Sequence, residues 1–182
     1  MTQAHTTGAA ATAAPGLAAQ SADRLGQYLT FVLGGEMFAL GILAIKEIIE
    51  YSNVTAVPMM PEHVRGVINL RGAVVPVVDL SVRFGREPGK VTKRTCIVIV
   101  ELGVGNEIRD VGLVVDAVNE VLDIRGSDIE PPPVFGARIS TDFIEGMGRV
   151  NGKFVIVLDV NHVMAEAELS ALAQAADSGE AM

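Results

Sequence analysis

The sequence predicts a mainly β fold made of two related small barrels, and three observations carry that prediction. Apolar residues fall in short runs rich in Val, Ile and Leu, cut every few residues by Gly, Asn or charge. That is the spacing of many short strands rather than of long helices. A stretch near the middle also recurs near the end: GVINLRGAVVPVVDL (66–80) aligns without gaps on GMGRVNGKFVIVLDV (146–160), pairing Gly66 with Gly146, Gly72 with Gly152 and Asp79 with Asp159. Finally, FALGILAIKEII (38–49) aligns on VGLVVDAVNEVL (111–122), pairing Ile45 with Val118 and Glu47 with Glu120. The offset is 73 residues for this pair and 80 for the other, so the second copy is longer between its landmarks. A helical solenoid would show a shorter period and helical spacing, so the repeat is a duplicated β-module.

The elements follow in order. Residues 1–24 are rich in Ala, Thr and Gly and lack a periodic apolar face, which predicts a disordered tail. Tyr28–Leu33 reads as a strand, Gly34-Gly35 as a turn and Met37–Leu40 as the returning strand. Leu43–Ile49 mixes helical and strand spacing, so a short helical turn passing into a strand is expected there. Pro58 and Pro61 make SNVTAVPMMPEHV a loop before the hairpin at 66–80. Pro76 lacks an N–H, which places its strand at a sheet edge or at a bulge. FGREPGKVTK is a polar connector to a strand over Arg94–Glu101, and the second copy then repeats the order. PPPVF (131–135) favours an extended segment packed on its barrel. Asp79 and Asp159 read as strand-end caps, Asp159 capping a last helix whose Val160, Val163, Met164 and Ala167 share a face. The division expected is module one over about 25–90, module two over about 91–164, each partly intertwined with the other, and an acidic Ala-rich tail over 165–182.

Composition narrows the function classes. The 182 residues are 49% hydrophobic with a mean hydropathy of +0.39, enough for a real core. No apolar run approaches the ~20 residues of a membrane helix, and the N-terminus lacks the basic and Leu-rich regions of a secretory signal. A net charge of −8 argues against nucleic acid and anionic lipid as partners. Cys96 lies in the apolar run CIVIV with no histidine near it, the setting of a small buried hydrophobe. His5, His63 and His162 lack metal-ligand spacing, and GVG (103–105) and GMG (146–148) open no amphipathic helix that would cradle phosphate. No metal, cofactor or catalytic residue is implied.

Arg71 is the residue that folding explains least. Its counterpart in the second copy is Asn151, so the turn needs its glycine and accepts asparagine, and arginine is not required. From the turn alone, solubility and partner contact are both open.

The segments EMFALGILAIKEII, TAVPMMPEHVRGVINLRGAVVPVVDLSVRFG, GLVVDAVNEVL and IEPPPVF, in this order, resemble the CheW family of chemotaxis coupling proteins from about Gln27 to Met164. The resemblance implies two intertwined five-stranded barrels similar to SH3 domains. It also implies a non-enzymatic adaptor that bridges the cytoplasmic tip of chemoreceptors to the regulatory domain of the CheA histidine kinase. Such a chain is cytoplasmic, is recruited to membrane-associated receptor clusters without inserting into the membrane, is monomeric when free and is assembled in receptor arrays. Carried over by position, Arg71 contacts receptor together with Ile45, Glu47, Val118 and Val121, and Gly66 is implicated in kinase binding. Barrel core is an equally open reading for Ile45 and Val118, and a backbone requirement for Gly66. Two alternative functions stand beside the adaptor: the same scaffold with an output other than flagella, and a β-barrel that binds a small molecule.

Overall fold

The computed structural model describes residues 25–104, 106–131 and 143–163. The tails at 1–24 and 165–182, PPPVF from residue 132 onward, and the expected C-terminal helix beyond its first turn lie outside them. Repeat one supplies β1 (Leu25–Leu33), β2 (Glu36–Gly41), a 3-10 turn (Ile42–Ala44), β3 (Ile45–Glu50), β4 (Val64–Leu70), β5 (Ala73–Asp79) and the short helix α1 (Leu80–Arg83). Repeat two supplies β6 (Cys96–Val104), β7 (Glu107–Val115), β8 (Ala117–Arg125), a 3-10 turn (Gly126–Asp128), β9 (Ile129–Glu130), β10 (Ile144–Val150), β11 (Lys153–Leu158) and α2 (Val160–Val163).

The strands form two sheets, ordered β8-β1-β2-β11-β10-β9 and β3-β6-β7-β5-β4. Neither sheet is a contiguous half of the chain. Each takes the first hairpin of one repeat and the remaining strands of the other, so the repeats exchange β1-β2 for β6-β7. The seams are equivalent: β2 runs parallel to β11 in one sheet and β7 parallel to β5 in the other. One sheet has the expected five strands. The other has six, because β9 is a true strand there, whereas its counterpart is the isolated bridge between Thr55 and Val67.

Period-two patterning distributes the apolar residues over three cores. On β6, Ile97 and Ile99 point into the five-stranded barrel with Ile68, Val75, Val77 and Val114. The alternate residues Val98 and Val100 face a larger core shared by both sheets, with Leu29, Phe31, Phe38, Leu80 and Leu113. The six-stranded barrel encloses a smaller set, Ala39, Val155 and Val157. Within the shared core Phe31, Phe38 and Phe84 stack at centroid spacings of 6.0 and 5.9 Å. Because the larger core takes residues from both sheets, the barrels cannot separate without exposing it.

Both repeated hairpins turn alike. Arg71-Gly72 has φ of 54° and 86°, and Asn151-Gly152 has 51° and 78°, the all-positive pair of a two-residue turn matched to strand twist. The capping aspartates also behave as expected: Asp79 accepts from the amides of Ser81 and Val82, and Asp159 from that of Asn161. The edge reading of Pro76 is corrected, since β5 lies between β4 and β7 in the interior of its sheet. Alternation from the turn puts Pro76 opposite Val67 at a non-hydrogen-bonded position, and the parallel ladder to β7 begins only at Val77. The missing N–H therefore costs no ladder bond.

Candidate partner-binding surface

The five-stranded sheet curls far enough for a side chain of its β4–β5 turn to reach β3, the outer strand on the other side, and Arg71 makes that contact. From the β4–β5 turn its Nη2 donates to Oε2 of Glu47 on β3 at 2.7 Å. The pair is lopsided: the Arg71 side chain is 73% exposed and that of Glu47 is 21% exposed. The second Glu47 oxygen, Oε1, is buried without a hydrogen-bond partner. Next to it, Lys46 Nζ donates to Asp110 Oδ2 at 2.8 Å, and this bond, followed by the charge of Asp110, pushes the Lys46 ammonium pKa up. Two cations and two carboxylates thus form a charged patch along one barrel rim.

Ile45, at the start of β3, is half-buried against the shared core and pairs with Val100. Val118, at the start of β8, is half-buried against that same core and pairs with Phe31. These two residues occupy equivalent edge positions on the two sheets and share one core, so each supplies packing and a partly open face. Val121 is 46% exposed on β8. Beside it, the Thr30 hydroxyl donates to the Glu120 carbonyl at 2.8 Å and fills the bulge between β1 and β8.

Gly66 lies apart from Arg71, five residues away along β4, or about 16 Å at ~3.3 Å per residue. It has φ of 150°, and a Cβ there would sit 2.1 Å from the Thr55 carbonyl oxygen. The glycine lets the 51–63 loop lie against the hairpin, where Thr55 and Val67 exchange two backbone hydrogen bonds of 2.8 and 2.9 Å. Its backbone requirement is thereby physical.

Sequence reasoning did not single out Lys46, Asp110 or Arg65. Lys46 and Asp110 are 64 residues apart, and nothing local marks them as a pair. Arg65 donates through Nη2 and Nε to the buried carboxylate of Asp79 at 2.6 and 2.9 Å, turning a helix cap into an ion pair. The one readable signal was a charge placed directly before Gly66 in an apolar hairpin. Among the described residues no group of His, Cys, Asp and Glu is arranged to hold a metal ion, and no helix is long and apolar enough to cross a membrane.

Comparison with known proteins identifies the family. The family described as CheW-like domain matches residues 27–168. The chain is 32% identical over 152 residues to chemotaxis protein CheW of Klebsiella aerogenes, covering 84% of this chain and 89% of that protein. It is 33% identical to chemotaxis protein CheW of Rhizobium meliloti over 145 residues, covering 80% and 91%. The crystal structure of the scaffolding protein TtCheW from Thermoanaerobacter tengcongensis superposes with a TM-score of 0.71 at 35% identity, covering 78% of this chain and 89% of that one. The chain belongs to the CheW family of chemotaxis proteins.

Proposed function

We propose that the chain is a non-enzymatic cytoplasmic adaptor that couples the cytoplasmic tip of chemoreceptors to the regulatory domain of the CheA kinase at membrane-associated receptor clusters. The observation that carries the receptor side is Arg71. A side chain other than Gly or Asn in the left-handed region costs about 1 kcal/mol, and the equivalent turn in repeat two uses the cheaper asparagine. Arg71 nevertheless holds a mostly exposed guanidinium over Glu47. A receptor tip presented as helix can set apolar side chains against Ile45, Val118 and Val121, while Arg71 hydrogen-bonds a carboxylate or carbonyl at the rim. Such a rim contact sets register more than affinity. Gly66 serves kinase binding through the loop it seats, because the Thr55 bridge fixes the shape of that end of the barrel.

The test is a pull-down from a lysate of the native cell, with wild type and Arg71→Glu side by side. Recovery of a histidine kinase by both, with receptors recovered only by wild type, is expected. Equal recovery of receptors by both would overturn the role of Arg71.

A further inference from the structure

The internal repeat makes one barrel a template for the other. At the two offsets Arg71 corresponds to Asn151, Glu47 to Glu120, Lys46 to Asn119 and Asp110 to Met37. In the five-stranded barrel these four positions form two ion pairs. In the six-stranded barrel three of the four charges are gone and only the carboxylate of Glu120 remains. The space is not refilled by protein: Glu120, Asn151, Met37, Val150 and Phe154 line a pocket of about 250 Å³. That lies below the ~300–1,000 Å³ of small-molecule sites and suits a single long side chain. Phe154 is 53% exposed, with the Arg149 guanidinium 5.5 Å from its ring centroid, and among the described residues no ion pair joins the exposed Glu120 carboxylate to a cation, not even to Lys153, which also lines the pocket.

We propose that this pocket is a second protein-binding site and that it takes an arginine side chain from a partner. The guanidinium pairs with Glu120 where Arg71 pairs with Glu47 in the sister barrel. The apolar stem lies along Val150 and Phe154, the arrangement arginine adopts on mixed apolar and acidic surfaces. At the symmetric place the fold pairs the equivalent carboxylate, that of Glu47, with an arginine. The pocket adjoins Val118 and Val121 of the receptor reading on β8, and its test does not depend on Arg71.

The probe is the capped peptide acetyl-Asn-Leu-Arg-Gly-amide, which copies the Asn69–Gly72 hairpin, compared with its citrulline analogue in titrations of the full chain followed by amide NMR. Saturable shifts at Glu120, Asn151 and Val155 are expected, with millimolar affinity as befits one exposed ion pair, and binding several-fold weaker for the uncharged citrulline peptide. Glu120→Gln should remove that difference. Asn151→Arg, which the turn accepts as it accepts Arg71 at φ of 54°, should seat its own guanidinium on Glu120 and abolish peptide binding. Equal binding of the two peptides, shifts confined to other surfaces, no binding at all, or undiminished binding to the Asn151→Arg variant would each overturn the proposal.

Discussion

Replacing Gly66 by alanine is the sharpest perturbation the fold offers, because three glycines of the repeat form a graded series. A Cβ at Gly66 would lie 2.1 Å from the Thr55 oxygen and 2.7 Å from its carbonyl carbon, both backbone atoms that no rotamer change can move. Relief requires the 51–63 loop to lift off, which breaks the two hydrogen bonds between Thr55 and Val67. At about 1 kcal/mol each, with a further 1–2 kcal/mol for a side chain at positive φ, the cost is about 3–4 kcal/mol. At Gly146 the obstacles are Ile129 Cγ2 at 2.5 Å and the Glu130 oxygen at 2.8 Å, with no positive φ, so the cost is about 2 kcal/mol. At Gly72 nothing lies within 4 Å and only the φ of 86° opposes a side chain, so about 1 kcal/mol is expected. Urea unfolding followed by far-ultraviolet circular dichroism measures all three, since the chain has no tryptophan. With a slope of about 2 kcal/mol/M, Gly66→Ala should lower the midpoint by roughly 1.5–2 M and Gly72→Ala by about 0.5 M. A Gly66→Ala midpoint within error of that of Gly72→Ala would refute the bridge argument and return Gly66 to a pure partner role.

Four other outcomes are expected. A double-mutant cycle with Arg71→Ala and Glu47→Gln should give a coupling below about 1 kcal/mol, shrinking in molar salt, because the guanidinium is largely exposed; a larger, salt-insensitive value would make the pair structural. Asp79→Ala should cost about 3–5 kcal/mol, because it leaves Arg65 unpaired and two helix amides uncapped. Asp159→Ala should cost only about 1 kcal/mol, and equal losses in urea unfolding would contradict the asymmetry between the two caps. Burial, then the charge of Glu50, push the Cys96 thiol pKa up, so less thiolate is present at mildly alkaline pH; iodoacetamide should alkylate it more slowly than free cysteine, and faster labelling would contradict that environment. Fragments cut near residue 90 should each be unfolded alone by circular dichroism and should recover structure when mixed, because each lacks the hairpin its sheet borrows; an independently folded fragment would refute the exchange.

Local chemistry was legible in the sequence and long-range pairing was not. The two hairpins could be read because glycine at the second turn position and alternating apolar residues are local signals, and φ at Arg71, Gly72, Asn151 and Gly152 agrees. The recurrence of Asp79 and Asp159 likewise reported a local bond, the cap. What alternation cannot say is which neighbour a strand takes. Ile45 pairs with Val100 and Val118 with Phe31, across the repeat boundary in both cases, and a period of two reads the same in any sheet. Pro76 shows the limit from the other side: the missing donor was read as an edge or a bulge, and the irregularity of this hairpin lies on β4 between Val64 and Gly66, while hydrogen-bond alternation makes the interior position of Pro76 equally free of penalty. At the candidate surface Arg71 was readable as a residue the turn does not require and Glu47 only as a recurring landmark; their contact over 24 residues exists because the sheet curls, and that of Lys46 with Asp110 over 64 because β3 and β7 flank β6.

The exchange of hairpins also explains how a duplicated chain can present two unlike surfaces. Residues that hold the frame must satisfy both copies of the same geometry, so Gly66 and Gly146, Gly72 and Gly152, and Asp79 and Asp159 are kept in register. Rim positions carry no such demand. Lys46 against Asn119, Asp110 against Met37 and Arg71 against Asn151 differ in charge while their backbones remain equivalent. One rim thereby carries two ion pairs of its own, and on the other, among the described residues, the Glu120 carboxylate joins no ion pair and lies near the Phe154 ring that Arg149 covers. Because the shared core locks the two barrels together, the rims are held in a fixed relation. Under the proposed adaptor role, two different partners would be held at set positions, and chemical asymmetry between the rims, rather than a difference in fold, would decide which partner each one takes.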